Sequence, residues 1–404
     1  MGSHESEFVG RGGNGGALTR RQAIKRTFAS LTGGAAMTFP PLGNLSAHAS
    51  ASSATPLGPE LRARVEPILR HEVDSGNVPG IAWSIGNSAG TLAQGAVGLR
   101  VVSPAAPMDA ATRCALASVS KQFAAACVYM LRDDGKLSLE APLSEYVPTY
   151  RYANKMTLRQ VLTMSSGISS DTDACEAPVG NLMDESALIE NLNRMELEFP
   201  PGAHFAYSNC AYDVAGAVVA KLSGMPFGRF VEERIFKPLG MLSSHQLGVR
   251  ADSDFAEGYG PDGKGWKRAP ASAADKTFAS GNLVSNAADM QRWDRALLNA
   301  TLLSRKTLKE MFTLNRLSSR ATAIYASGWF VEPNGAIWHG GALEGYGTAN
   351  VLVPASGHAM VLLGNTHPGE RWRPWDVARE IYNEAKLGPP LSPFMPIVHT
   401  TVQK

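Results

Sequence analysis

The sequence predicts a mixed α/β (α+β) fold: one antiparallel sheet flanked by helices, with an all-helical insertion. Hydrophobic alternation typical of strands occurs between residues 81 and 98 and returns between residues 326 and 363. Residues 140–255 are mostly helical segments broken by loops, and a closing helix is predicted over about Trp375–Lys386. Strands at both ends with helices between them indicate one sheet assembled from both ends of the chain.

The N-terminal part of this fold is predicted in detail. Leu61–Glu72 has the pattern of an amphipathic helix, and Ile81–Gly86 and Thr91–Gly98 have that of strands. The segment Asn87–Gly90 joins the two strands and is rich in turn residues, so a hairpin is predicted there. From Val119 to Arg132 the apolar residues follow a helical period.

The second group of strands and the division of the chain complete the prediction. The later strands are expected at Ala326–Val331, Ala336–Trp338, Thr348–Val353 and Ala359–Leu363. Residues 50–390 are expected to form a single domain, followed by a C-terminal tail at 391–404. The α/β part is placed at about 56–117 and 260–390, and the helical part at about 118–259.

Composition narrows the classes of partner. The 404 residues are 44% hydrophobic and 18% charged, and 38 basic against 36 acidic residues leave a net charge of +2. No basic stripe marks a nucleic-acid surface, and no stretch approaches 18 consecutive apolar residues, so neither nucleic acid nor a membrane span is expected. Composition leaves the oligomeric state open.

The cysteines and histidines show no metal-binding spacing. The four cysteines form no CxxC pair, and the nine histidines form neither HExxH nor a Cys/His cluster. We therefore expect no metal and no other cofactor. The cysteines are expected to be small buried residues, although a disulfide between Cys175 and Cys210 stays open as an alternative in an oxidising compartment.

Residues 1–49 have the pattern of a secretory signal. The pair Arg20-Arg21 precedes a weakly apolar run from Phe28 to about Leu45, and Ala47-His48-Ala49 then provides an A-x-A cleavage pattern. The paired arginines and the modest hydrophobicity are typical of the twin-arginine route. The sequence therefore predicts a periplasmic or secreted protein.

Ser118 and Lys121 form the single S-x-x-K of the chain, at the start of a predicted helix. Residues three apart on a helix share a face, so the lysine can reach the serine hydroxyl. A serine hydroxyl needs a neighbouring base to become a nucleophile, and a lysine can serve if burial lowers its pKa. Free N–H groups at a helix start can also bind an oxyanion.

A tyrosine two residues before an asparagine supplies a second candidate element. Tyr207-Ser208-Asn209 can present a phenol for proton transfer and an amide for substrate binding from one loop. Tyr152-Ala153-Asn154 has the same spacing, and spacing alone does not choose between the two.

The stretch His339-Gly340-Gly341-Ala342, between two predicted strands, is the third element. Its glycines would let a substrate backbone approach a strand edge closely. The N–H groups of Ala342 and Ser118 would then form an oxyanion hole. The alternative interpretation is a tight turn with an exposed histidine.

Together these motifs resemble the serine β-lactamase-like and penicillin-binding-protein family. This group comprises class C β-lactamases, D-alanyl-D-alanine carboxypeptidases, D-aminopeptidases and esterases, which share S-x-x-K, Y-x-N and K/H-x-G in this order. The resemblance covers about residues 56–387. It includes Ala117–Phe123, Asp134–Leu139, Thr157–Ile168, Pro201–Asn209, Pro238–Met241 and Ala279–Ser285.

The resemblance implies roles for the first two motifs and a β-lactamase/transpeptidase-like fold. Ser118 resembles the nucleophile, and Lys121 and Tyr207 jointly resemble the general base. Asn209 resembles the residue that binds the substrate and the lysine head group. A Pro-Gly about five residues before the family's Y-x-N selects Tyr207 over Tyr152.

The third motif resembles the family's less closely. His339 and Gly341 match K/H-x-G, and Ala342 matches the second oxyanion donor, but class C β-lactamases begin this motif with a lysine. Met164 also replaces a histidine that is frequent in the family, and it is interpreted as a packing substitution.

The function implied by the resemblance is an exported serine hydrolase that acts through an acyl-enzyme. The resemblance thus implies a small-molecule or short-peptide partner as substrate: a short peptide, a peptide-like amide or a carboxylic ester. A class C-like β-lactamase is the alternative, disfavoured because His339 lacks a fixed charge. A penicillin-binding sensor with little turnover is a second alternative, and a catalytically dead scaffold is a third.

Overall fold

The computed structural model describes residues 58–177, 185–248, 254–263, 265–270, 278–319 and 323–393. The predicted signal segment and residues 394–404 of the predicted tail lie outside the described residues. The division of the chain into one catalytic domain with flanking segments stays a prediction.

A seven-stranded sheet, antiparallel throughout, forms the centre of the described chain, in the order β3-β2-β1-β12-β11-β10-β9. Small sheets of β4-β8-β5 and of β6-β7 accompany it. The strands are β1 (Gly80–Asn87), β2 (Gly90–Val101), β3 (Ala106–Pro107), β4 (Cys114–Ala115), β5 (His245–Gln246), β6 (Tyr259–Asp262), β7 (Gly265–Arg268), β8 (Leu283–Ser285), β9 (Phe330–Val331), β10 (Ile337–Leu343), β11 (Tyr346–Val353) and β12 (His358–Gly364).

The large sheet joins early and late parts of the sequence. In its middle, β1 pairs with β12, with Ile81 opposite Gly364 and Ile85 opposite Met360. The hairpin of β1 and β2 occurs where the turn residues predict it. The predicted fold class, an antiparallel sheet flanked by helices, is confirmed.

Helices cover this sheet and form the segment between its two halves. They are α1 (Pro59–Asp74), α2 (Ser120–Asp133), α3 (Leu158–Leu162), α4 (Thr172–Cys175), α5 (Glu185–Asn193), α6 (Asn209–Ser223), α7 (Phe227–Val231), α8 (Lys237–Leu239), α9 (Ala287–Asn299), α10 (Arg305–Met311) and α11 (Pro374–Glu384). None of the helices in the described ranges is long and apolar enough to cross a membrane.

The flanking helices explain why the central strands are apolar along their whole length. Helices α1 and α11 pack against each other and against the sheet, while α9 packs on β1 and β12. Residues Gly80–Gly86 of β1 and all of β11 and β12 are buried. Burial on both faces of a strand requires a near-continuous apolar run, and it makes this sheet a rigid support.

Helix packing brings the predicted catalytic segments together. Helix α2 packs against α6, and α6 also packs against α3, α5 and α7. The first turn of α2 carries Lys121, and the first residue of α6 is Asn209. The N-terminal ends of the two helices meet, since Nζ of Lys121 lies 2.6 Å from Oδ1 of Asn209.

Two strand predictions near the third motif were wrong. The predicted strand Ala326–Val331 is a strand only at Phe330–Val331, because Gly328 has a φ of +86° that an extended chain does not adopt. Conversely, the strand predicted at Ala336–Trp338 continues to Leu343. The third motif is therefore part of β10 rather than a turn.

All four cysteines are buried, as expected. Cys114 and Cys127 are free thiols. Cys175 and Cys210 form the disulfide that the sequence left open as an alternative. The disulfide joins the end of α4 to the first turn of α6.

Candidate active site

Ser118 lies in a tight turn, Ala117–Val119, that leads directly into α2. Ala117 has a φ of +50°, a left-handed conformation that costs an alanine about 1–2 kcal/mol. Neighbouring strands hold this turn, since the N–H of Leu116 donates to Leu283 at 2.8 Å and the hydroxyl of Thr348 donates to the Leu116 carbonyl at 2.8 Å. The turn presents Ser118 half-exposed at the start of a buried helix.

Gly341 allows β10 to approach this turn. A Cβ atom at this position would lie 2.3 Å from the carbonyl oxygen of Leu116 and 2.1 Å from Oγ1 of Thr348. Both distances are far below van der Waals contact. Gly341 was predicted to allow close approach of a substrate. The structure shows that it is required for the packing of β10 against the turn that carries Ser118.

Lys121 is completely buried, and its ammonium group has three hydrogen-bond partners. Nζ lies 3.1 Å from Oγ of Ser118, 2.6 Å from Oδ1 of Asn209 and 2.8 Å from the carbonyl oxygen of Ser280. Three donors match three acceptors when the lysine is charged. When it is neutral, two N–H groups keep the Asn209 and Ser280 contacts, and the lone pair can accept the Ser118 proton.

Near neutral pH, Lys121 is present in both its charged and its neutral form. Burial lowers its pKa to about 7, against the opposing attraction of the carboxyl groups of Asp213 and Glu176. A base with a pKa near the working pH has both a sufficient neutral fraction and a sufficient proton affinity. The geometry and the charge state together suit Lys121 to accept the proton of Ser118.

Tyr207 is held beside Ser118 by backbone contacts with the loop that contains Met164. Met164 is buried, and its carbonyl oxygen accepts the N–H of Ala206 at 3.0 Å. Ser208 then caps α6 by accepting the N–H of Ala211 at 3.0 Å, and its hydroxyl donates to Ser169 at 2.7 Å. Both neighbours of Tyr207 are therefore held in place: Ala206 by its hydrogen bond to Met164, and Ser208 by its cap of α6.

The Tyr207 side chain is buried and hydrogen-bonds with Ser118. Its ring centroid lies 5.0 Å from Nζ of Lys121, a cation–π contact. Burial raises the pKa of this phenol above its usual value, although the hydrogen bond to Ser118 opposes the shift. Tyr207 therefore keeps its proton and is able to donate it.

The competing Tyr152 has different partners. Its hydroxyl donates to Glu196, its ring contacts Tyr150, and Asn154 is exposed. The structure thus brings Tyr207, and not Tyr152, to Ser118.

Asn209 binds the lysine head group, as the resemblance implies. Oδ1 accepts from Lys121, and Nδ2 donates to Oγ1 of Thr172 at 3.1 Å. Because lysine is only a donor, this network fixes the orientation of the amide.

His339 is completely buried in β10 and is not the exposed residue of a turn. Its Nδ1 lies 2.8 Å from the carbonyl oxygen of Gly340, which can only accept, so this nitrogen carries the proton. Nε2 then accepts from the hydroxyl of Tyr325 at 3.0 Å. Burial, and secondarily the charge of Lys121, lowers the pKa of His339 to about 3. The imidazole is neutral at any ordinary working pH.

The outer edge of β10 is open next to these side chains. Strand β9 pairs only with Ile337 and Trp338, and within the described ranges no strand pairs with the outer edge of residues 339–343. Ala342 is exposed at the end of this edge. The role of Ala342 as second oxyanion donor stays a prediction.

Several polar and aromatic neighbours of Lys121 were not predicted. Tyr325 closes the site behind Tyr207 and His339, with ring centroids 6.2 and 5.6 Å away, and Ser280 accepts from the lysine. Glu176 and Asp213 are buried next to these groups. Only Asp213 carried a usable signal, because it follows Asn209 by four residues on α6 and so shares its face.

Comparison with known proteins is consistent with this geometry. The family model described as Beta-lactamase matches residues 65–383, which is most of the chain. The chain belongs to the beta-lactamase family. Members of this family with solved structures include β-lactamases and amidohydrolases, which are serine hydrolases.

The individual relatives share only a modest sequence identity with this chain. PbpX of Bacillus subtilis (strain 168) is 26% identical over 272 residues, which cover 67% of this chain and 63% of PbpX. The chain thus spans a little under two thirds of the length of that curated relative.

Two solved structures show the shared fold. A D-stereospecific amidohydrolase from Streptomyces sp. is 26% identical with a TM-score of 0.62, over 76% of this chain and 94% of that chain. A class C β-lactamase is 21% identical with a TM-score of 0.69, over 80% and 96%. The β-lactamase/transpeptidase-like fold is confirmed.

Proposed function

We propose that this protein is a serine hydrolase that forms an acyl-enzyme at Ser118. The observation that carries the proposal is the 3.1 Å separation of Lys121 Nζ and Ser118 Oγ, in a site where burial leaves the lysine half neutral near pH 7. A nucleophile within hydrogen-bond reach of an oriented base is the arrangement that covalent catalysis requires.

In this proposal, Lys121 accepts the Ser118 proton as Oγ attacks the substrate carbonyl carbon. The resulting oxyanion lies between the N–H groups of Ser118 and Ala342. Tyr207, which is protonated in the free enzyme, donates its proton to the leaving nitrogen or oxygen as the acyl bond breaks. Water then attacks the ester, with the same groups acting in reverse.

We further propose a short peptide, a peptide-like amide or a carboxylic ester as substrate. A β-lactam or a C-terminal peptide carboxylate needs a countercharge, and the imidazole of His339, with a pKa of about 3, does not provide one. The open edge of β10 suits an extended backbone. The likeness to a D-stereospecific amidohydrolase also supports an amide.

A substrate panel tests this proposal. We expect turnover of short p-nitrophenyl esters or of small D- or L-amino-acid amides and peptides at pH 7–8, and slow turnover of the β-lactam nitrocefin. Steady-state kcat/KM for each compound is the measurement. A nitrocefin kcat/KM near the upper enzymatic range, about 10⁷–10⁸ M⁻¹s⁻¹, would identify a β-lactamase instead. A stable penicillin adduct without turnover of any compound would identify a sensor.

We propose that the protein is exported and that residues 1–49 are removed. Besides the Arg20-Arg21 pair and Ala47-His48-Ala49, the disulfide between Cys175 and Cys210 supports this proposal, since disulfides persist in oxidising compartments. Intact-mass measurement of protein recovered from a bacterial periplasm should give a chain that begins near Ser50. Recovery of only the full-length chain, from the cytosol, would contradict export.

A further inference from the structure

Two buried carboxyl groups lie beside the proposed base, and the catalytic steps above do not use them. Asp213, on α6, is completely buried, and Glu176, just after α4, is 7% exposed. Both are close enough to Lys121 for their charge to act on it. Burying two carboxyl groups in one place is costly unless their charge is balanced.

Ser280 connects the two acids to the lysine. Its carbonyl oxygen accepts from Lys121 at 2.8 Å, and its N–H donates to Oδ1 of Asp213 at 2.8 Å. Its hydroxyl lies 3.4 Å from Oε1 of Glu176 and donates to it. One residue therefore holds the base and both acids in a fixed relation.

The contact between the acids requires a proton. Among the described residues, no N–H or hydroxyl donates to Oδ2 of Asp213, although this atom is buried. The Glu176 and Asp213 carboxyl groups interact with each other, and each raises or lowers the pKa of the other. Because an ionised carboxylate only accepts, a hydrogen bond between these two acids forms only when one of them is protonated.

The disulfide fixes this contact covalently. Cys175 immediately precedes Glu176, and Cys210 lies one helical turn before Asp213. The bond therefore joins the segments that carry the two acids. Local rearrangement, which would otherwise separate two carboxyl groups, is restricted.

We propose that Glu176 and Asp213 share one proton, and that the single negative charge left on this acid pair sets the charge state of Lys121. The two acids are positioning residues, and the inference rests on the proposed role of Lys121 as base. Burial raises the pKa of Glu176 to about 9, and that of Asp213 is also raised. Both shifts favour retention of the shared proton at neutral pH.

The charge of the acid pair determines how well Lys121 can act as a base. With one negative charge, the ammonium formed when Lys121 takes the Ser118 proton is balanced. If the acid pair were neutral, the pKa of Lys121 would fall and the lysine would be a weaker base. If the pair carried two negative charges, the lysine would stay protonated. Other titratable groups face this cluster: Tyr207 and Tyr212, which are neutral phenols because burial raises the pKa of each, and His339, which is a neutral imidazole.

The test is the titration of Lys121 in the full chain, followed by NMR of ¹³Cε-labelled lysine and assigned with Lys121→Met. In the double variant Glu176→Gln/Asp213→Asn, which removes the charge, the midpoint should fall by about one to three pH units. In Glu176→Gln the amide replaces the protonated carboxyl group, so the midpoint should move far less. Asp173→Asn removes an exposed acid from α4 and is the matched control. It should leave the midpoint of the Lys121 titration unchanged.

The acid limb of kcat/KM against pH should move in parallel with the NMR midpoint. A double variant that titrates like the wild type, or a Glu176→Gln variant that shifts as far as the double variant, would overturn the shared-proton pair. Because NMR needs no substrate, these outcomes are distinct from failure of the proposed function, which would appear as an absence of turnover with an unaltered Lys121 titration. Circular dichroism verifies that each variant is folded.

Discussion

Replacing Ser118 with alanine is expected to lower kcat by about 10⁴–10⁶-fold, with only residual activity from substrate binding and the oxyanion hole. The change removes the single atom that forms the acyl bond and leaves the turn around it unchanged, because the contacts that hold the turn are made by Leu116 and Thr348. Steady-state kinetics on the best ester or amide of the panel measures the effect. Activity within tenfold of the wild type would reject Ser118 as nucleophile.

Ser120 offers a matched control within the same motif. Its hydroxyl is buried and accepts the N–H of Leu283 at 3.1 Å, as part of the packing behind the site. Ser120→Ala leaves that N–H without an acceptor and should cost about 1–3 kcal/mol of the free energy of unfolding. Its kcat/KM should stay within a few-fold of the wild type, so the pair of variants separates chemistry from stability.

Replacing Lys121 with methionine is expected to lower kcat by about 10²–10⁴-fold, the usual contribution of a general base. Methionine nearly fills the same volume but has no lone pair that accepts the Ser118 proton. KM should change much less, because the lysine contacts Ser118, Asn209 and Ser280 and is completely buried. Pre-steady-state acylation rates measure the loss directly.

Lys121→Arg separates the base role from a purely electrostatic one. The guanidinium keeps the positive charge but does not release its proton in proteins, so this variant should be as slow as Lys121→Met. The exposed Lys136, three residues beyond the C-terminal end of α2, provides a control, and Lys136→Met should leave kcat unchanged. An arginine variant with wild-type kcat would show that the lysine acts only through its charge.

Periodic features of the fold were predictable from the sequence, and features that depend on tertiary contact were not. The hairpin of β1 and β2 and helix α11 were found because alternation and helical periodicity are local signals. The strand β10 was predicted too short, because the two glycines at 340 and 341 interrupt the local strand pattern. Gly341 is instead required by the approach of Leu116 and Thr348, which lie far away in sequence.

The candidate site likewise combines features that follow from local sequence with features that depend on tertiary contact. Ser118 and Lys121 share a helical face, so their contact follows from spacing, whereas the choice of Tyr207 over Tyr152 needed a family resemblance. The neutral state of His339 was expected from its ordinary pKa, but its complete burial against Tyr325 was not. Burial depends on packing between distant segments, which a single sequence does not reveal.

The surroundings of Lys121 were the least predictable part. Glu176 lies in a segment without periodicity, and the two cysteines of the disulfide are 35 residues apart. Neither feature has a local pattern that indicates pairing. Both become interpretable only when the end of α4, which carries Cys175 and Glu176, is seen beside α6.

The central claim, an acyl-enzyme at Ser118, is tested most directly by trapping the intermediate. The wild-type protein is quenched in acid during turnover of a slow ester or amide, or after reaction with a fluorophosphonate, and its intact mass and peptide map are measured. We predict a mass increase of one acyl or phosphonyl group, located on the peptide that contains Ser118 and absent in Ser118→Ala. An adduct on another residue, or the same adduct in Ser118→Ala, would contradict the claim.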